Sequence, residues 1–187
     1  MLGCAGSASG SLILTLTPPG GIISGMPGTT TGWGFTLTND SGYAEINLAQ
    51  FCSGSLTIPC TPSDLGTFTD FISANDVIVG PPGGTLPDVV TQSFDELAQT
   101  GIGSFNIAPG ASGTDTGQIL LTYTLWDMDP NSDGAMFLSS DNTVTAAASI
   151  SVTAAAPTPE PASAGLVGIA FAIAAAGRQA FKRSRQK

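Results

Sequence analysis

The stretch DMDPNSDG, Asp127 to Gly134, sets side-chain oxygens at alternate positions, on Asp127, Asp129, Asn131 and Asp133, ahead of a glycine that permits a tight turn. A hard cation such as calcium takes several oxygen ligands, and a loop of this kind is one way to supply them. From Asp129 onward DPNSDG fits the opening of an EF-hand loop, yet the twelfth position is Ser140, where a bidentate Glu belongs. The same letters equally serve a polar loop joining two strands. These four residues are the candidate metal ligands, calcium is the candidate ion, and no other cofactor is expected.

Other chemistry is restricted by what the chain lacks. It contains no His, and its only bases are Arg178, Lys182, Arg183, Arg185 and Lys187. Upstream of Arg178, therefore, a Ser-His triad, a Ser-Lys dyad, a Schiff base and a His-ligated zinc site are all excluded. Carboxylate pairs remain as a route to glycoside hydrolysis, drawn from Asp70, Asp76, Asp95, Glu96, Asp127 and Asp129. Nothing in their spacing fixes a pair, and surface acids solvating a domain read the same way, so no catalytic residue is assigned and a non-enzymatic protein is expected. Without a base, this part of the chain has nothing to neutralise phosphates, which argues against nucleic-acid binding. Trp33 and Trp126 are candidate sugar platforms, but both sit in alternating strand patterns that favour a core role.

These residues must be positioned by β-structure. SLILTLT (Ser11 to Thr17) puts Leu12, Leu14 and Leu16 on one face, and TTGWGFTLTND repeats the period with Trp33, Phe35 and Leu37. YAEINLAQFC alternates Ala44, Ile46 and Leu48, and the segments TFTDFI and DVIV are shorter candidates. GQILLTYTLWD is apolar on both faces and belongs in the middle of a sheet. TVTAAASISVT closes the domain. Strands separated by Gly, Pro and Asp turns predict an all-β, antiparallel β-sandwich of about seven to eight strands, Ig- or fibronectin-like, over 9–153. Cys52 and Cys60, eight positions apart, are expected to form a disulfide if the compartment is oxidising.

The ends differ from this domain. Residues 1–8 lack a charged start and a long apolar run, but their small residues resemble the region before a cleavage site, so they are expected to be the remnant of a truncated signal peptide. A lipobox at Cys4 would need an apolar run that is absent. Residues 154–161, AAAPTPEP, are a linker in which three prolines prevent pairing. Ala162 to Gly177 holds only Ser163 as a polar side chain, and as a helix it spans about 24 Å. Extending it to Phe181 and letting Arg178 snorkel brings it close to bilayer thickness, so 162–181 is predicted to be one transmembrane helix. The bases in 182–187 then form a cytoplasmic tail, with the acidic domain outside.

Pro159, Glu160 and Pro161, then one apolar helix, then Arg178, Lys182, Arg183, Arg185 and Lys187 at the chain end together resemble the PEP-CTERM sorting signal of exopolysaccharide-producing bacteria. The resemblance covers about 30 residues, and its three parts occur in fixed order. It implies export, a stay in the inner membrane, and processing near Pro161 by an exosortase-like enzyme. The implied destination is the cell surface or an extracellular matrix, with exopolysaccharide as the implied neighbour. The apolar segment is richer in Ala and Gly than the Leu-rich segments usual in that family, which weakens its membrane affinity. The stretch PGTTTGWGFTLTN (Pro27 to Asn39) also resembles one recurring in small proteins of that group. A carbohydrate-binding or calcium-binding module carrying the same address is the other expectation.

Overall fold

The computed structural model describes residues 11–153. Two five-stranded sheets pack face to face as a β-sandwich. The strands are β1 (Leu12–Thr17), β2 (Ile22–Gly25), β3 (Thr30–Asn39), β4 (Tyr43–Ser53), β5 (Gly66–Asp70), β6 (Ile78–Val79), β7 (Val89–Gln92), β8 (Gly103–Ile107), β9 (Gly113–Trp126) and β10 (Phe137–Val152). The first sheet runs β1-β3-β8-β5, with β7 also pairing β3, and the second runs β2-β10-β9-β4-β6. No helix among the described residues is long and apolar enough to cross a membrane. The expected signal remnant, the Pro159–Glu160–Pro161 motif, the helix 162–181 and the basic residues all lie outside the described residues.

Alternation decides which side chains enter the core, because successive Cβ atoms of a strand point to opposite faces. Leu12, Leu14 and Leu16 of β1, Trp33, Phe35 and Leu37 of β3, and Ile119, Leu121, Tyr123 and Leu125 of β9 are all buried. Trp33 is fully enclosed, stacks on Phe51 at 5.7 Å and meets Phe105 edge-on at 6.4 Å. Its indole N–H donates to the Gly21 carbonyl at 2.8 Å, so the one polar atom of the ring is satisfied inside the core. β9 occupies the middle of its sheet, as its two apolar faces require.

Three expectations need correction. There are ten strands rather than seven or eight, because β2, β7 and β8 are four to five residues each and too short to show a period. The sandwich is not wholly antiparallel: β2 pairs in parallel with the end of β10, Ile23 opposite Ile150. Finally, Leu48 does not share a face with Ala44 and Ile46. A β-bulge at Asn47 shifts the register between Ile46 and Leu48, so Ala49 and Phe51 carry the inward face onward and Leu48 turns out.

The glycines on either side of Trp33 are explained by what lies against them. A Cβ at Gly32 would overlap the Phe94 ring and the Gly103 carbonyl, and one at Gly34 would come within 2.6 Å of the Gln92 carbonyl. Trp33 thus points into the core while the chain after β7 lies flat against the backbone on its other side. Cys52 and Cys60 are joined by a disulfide, closing the loop that follows β4.

Candidate functional site

The loop nominated for calcium is built as a polar turn between β9 and β10. Asp127 Oδ1 accepts the Met136 N–H at 2.8 Å, and its own N–H donates to the Met136 carbonyl at 3.1 Å. Asp129 Oδ1 accepts the Asn131 N–H at 2.9 Å while its carbonyl accepts from Ser132. Gly134 takes a positive φ of 88°, the left-handed turn that glycine permits. Asp127 and Asp129 each commit an oxygen to holding the turn, and among the described residues no group of three or more His, Cys, Asp or Glu is arranged to hold a metal.

Of the remaining nominated carboxylates, Asp70 ends β5, Asp76 lies in the turn before β6, and Asp95 and Glu96 are neighbours in the turn after β7. Asp70 Oδ1 accepts the Ile72 N–H at 2.8 Å and Oδ2 accepts the Ala49 N–H at 3.2 Å, so it ties the end of β5 to β4 across the two sheets. Asp95 Oδ1 caps a turn by accepting from Leu97 and Ala98 at 2.9 and 3.0 Å. Asp76 sits at a positive φ of 45° in the turn before β6. Beside Asp70 a cleft of about 320 Å³ opens between β4 and β5, with Phe51, Phe68 and Phe105 in its lining.

Two features had no clear signal in the sequence. Asp115, on β9, has the same strand parity as the inward residues Ile119 and Leu121, at one end of the sandwich. Its Oδ1 accepts the Ser53 hydroxyl at 2.7 Å, whereas its Oδ2 is buried without a partner, beside a cavity shared with Asp64 and Thr114. The sequence does not mark it, because an Asp near a strand end reads as a turn residue.

The second feature is the outer face of the second sheet. Trp126 has the parity opposite to the core residues Ile119, Leu121, Tyr123 and Leu125 of β9, so it shares the outer face with Leu120 and Thr124 and is only partly covered. Its indole N–H donates to Glu45 Oε2 at 2.9 Å, which fixes the ring against β4. Phe137, opposite it in register on β10, meets it edge-on at 6.1 Å and 88° and is 55% exposed. Tyr43, its neighbour on β4, is by contrast covered and bonded through its hydroxyl to Thr85. The two tryptophans therefore part: Trp33 is a core residue and Trp126 is a surface one. Phe137 escaped sequence reading because β10 starts six residues before the regular alternation, across two register shifts.

Charge is distributed to match. All 13 acids of the described residues except Glu45 and Asp115 lie in loops, at strand ends or in the β10 bulge, and no base balances them. At the paired outward positions of β4, β9 and β10, Glu45 is the one acid among the described residues. One titration responds to the packing. Burial holds the Tyr123 phenol above the usual tyrosine range, the nearby charge of Asp40 pushes the same way, and a hydrogen bond with the Leu12 backbone opposes both.

No protein-family model matches the chain, and no curated protein matches it.

Proposed function

We propose that this chain is an exported β-sandwich protein, processed near Pro161 by an exosortase-like enzyme and acting at the cell surface or in an exopolysaccharide matrix through interaction rather than catalysis. One observation carries the reading: Pro159–Glu160–Pro161, an apolar run from Ala162 to Gly177, and all five bases follow one another in that order at the chain end. The last acid is Glu160 and the first base is Arg178, so the change of sign falls across a segment suited to the bilayer. The Cys52–Cys60 disulfide fits an oxidising compartment outside the cytoplasm. A wholly acidic, base-free domain suits a location where solubility matters and nucleic acid is no partner.

An Ig-like arrangement of the sandwich is part of this reading. The order β1-β3-β8-β5 against β10-β9-β4 supports it, since such domains set a four-stranded sheet against a second sheet that carries the last strands. Three departures accompany it: the disulfide is local to the β4 side, the buried Trp lies on β3, and β6 follows β5 in the chain while pairing β4.

The experiment is the intact mass of the mature protein from a host that contains the processing enzyme. A C-terminus near Pro161 is expected. Recovery of chains that retain Lys187 would defeat the proposal, and so would processing near Pro161 that is unchanged when Glu160 is replaced by Ala.

A further inference from the structure

We propose that the outer face of β4, β9 and β10 is a binding platform for a neutral polysaccharide, with Trp126 and Phe137 as its stacking groups. The proposal rests on the interaction-type reading above and gives it a ligand class and a site. Trp126 stands outward on the central strand, and its N–H bond to Glu45 Oε2 holds the indole in one orientation before any ligand arrives. Phe137 stands at right angles to it and is more than half exposed, so the pair offers a ring surface together with a perpendicular wall. Sugar C–H groups carry partial positive charge and meet the negative face of an aromatic ring favourably, and a rigid ring loses little freedom on contact.

Beyond the aromatic pair the face sets polar groups around the apolar Leu48 and Leu120, and its one charge at the paired positions is Glu45. Thr122, Thr143 and Thr145 take outward positions on β9 and β10, and Gln50 does so on β4. Asn47, turned out by the bulge, donates to the Thr124 hydroxyl at 2.8 Å, so its side chain is also held. These hydroxyl and amide groups both donate and accept, as sugar hydroxyls do.

Charge selects the occupant. With no base among the described residues, an anionic polymer finds no counter-charge here, and it meets Asp127, Asp129, Asp133 and Asp141 at the neighbouring end of the hairpin. A cationic partner finds one carboxylate on the paired positions of the face, already engaged by Trp126. A neutral polyhydroxylated chain needs neither and uses what is present.

The test is affinity electrophoresis of the full-length chain through gels containing laminarin, dextran, xylan or galactomannan, with alginate and polygalacturonate as anionic comparators. At least one neutral glycan should retard the protein, undiminished by high salt, and neither anionic polymer should. Trp126→Ala and Phe137→Ala should each weaken the association by about tenfold or more. Leu97→Ala, on a different loop and 98% exposed, should leave it unchanged. Phe137 is exposed, so its variant keeps the fold even if Trp126→Ala does not. The proposal is overturned if no neutral glycan retards the chain, if Phe137→Ala binds as well as the parent, or if salt abolishes the retardation. Processing near Pro161 plays no part in this assay, so failure here leaves the mass measurement to judge the export reading separately.

Discussion

Replacing Asn39 with Asp should cost this domain more stability than replacing it with Ala, and only while the introduced carboxyl is ionised. Asn39 ends β3 with 1% of its surface exposed. Its amide nitrogen donates to the carbonyls of Gly42 at 2.8 Å, Val79 at 3.1 Å and Gly80 at 3.2 Å, which fastens the end of β3 to the turn before β4 and to the end of β6 in the other sheet. Two N–H groups serve three acceptors, so Ala removes about two full bonds and strands carbonyl oxygens away from water. At about 1 to 3 kcal/mol for each orphaned group, a loss near 3 kcal/mol is reasonable. For a domain of this size that lowers the melting temperature by about 10 °C. Asp brings the same loss and adds an anion facing those oxygens, with no base among the described residues to offset it, for roughly 1 to 3 kcal/mol more. The native state of the Asn39→Asp variant should then bind the proton of the new carboxyl more tightly than the unfolded chain does, so the added deficit is absent below the carboxylate range and grows as pH rises through it. Urea unfolding followed by tryptophan fluorescence, at neutral pH and at about pH 3, measures both parts when each variant is compared with the parent at the same pH. Equal stability of the Ala and Asp variants at neutral pH, or an Asp deficit that acid does not relieve, would refute the reasoning.

Three other outcomes are expected. Gly32→Ala should destabilise by about 2 to 3 kcal/mol because its methyl overlaps the Phe94 ring and the Gly103 carbonyl, and a double variant with Phe94→Ala should cost less than the sum of the two single changes; additive costs would count against it. Asp115→Asn should raise stability at neutral pH by about 1 kcal/mol, since it keeps an acceptor for the Ser53 hydroxyl and removes the charge from a buried, unpartnered oxygen; a lower unfolding midpoint would show the charge to be compensated. The raised Tyr123 pKa means the unfolded chain ionises first, so stability should fall as pH rises above about 10, and Tyr123→Phe should flatten that part of the profile. A parent and variant with parallel alkaline profiles would exclude Tyr123 as the source.

Where burial is one-sided and the strand long, the architecture is legible in the sequence. Alternation places Leu12, Leu14, Leu16, Trp33, Phe35 and Leu37 inside, and two apolar faces place β9 at the centre. It fails at Leu48 because a bulge is a backbone event: one extra residue at Asn47 inverts the face of everything after it, and no side-chain pattern announces it. It misses β8 because Gly103 has no side chain to register a period, although its bare backbone is what admits β5, where the Thr69 carbonyl would meet a Cβ. At the site, spacing draws attention to Asp127, Asp129, Asn131 and Asp133, whereas an Asx turn and a metal loop share the same letters. Trp126 reads as a core residue like Trp33 because β9 is apolar on both faces, and the position of β9 in its sheet identifies the face that carries Trp126 as the outer one.

The end of β10 has a mechanical consequence. The described chain stops at Thr153, whose N–H and hydroxyl both bond to the Gly25 carbonyl, directly after a strand clasped by β9 along 13 registered positions and by β2 along four. A pull arriving through the linker at Thr153 would run along the strand axis, so these ladders would bear it in shear, sharing the load across many bonds at once. A hairpin peeled from its tip would instead give way one bond at a time. Were the domain tethered through its C-terminal side, as the proposed function has it, the parallel clasp of β2 would act as a seat belt, and shortening it should lower the rupture force before it lowers the melting temperature.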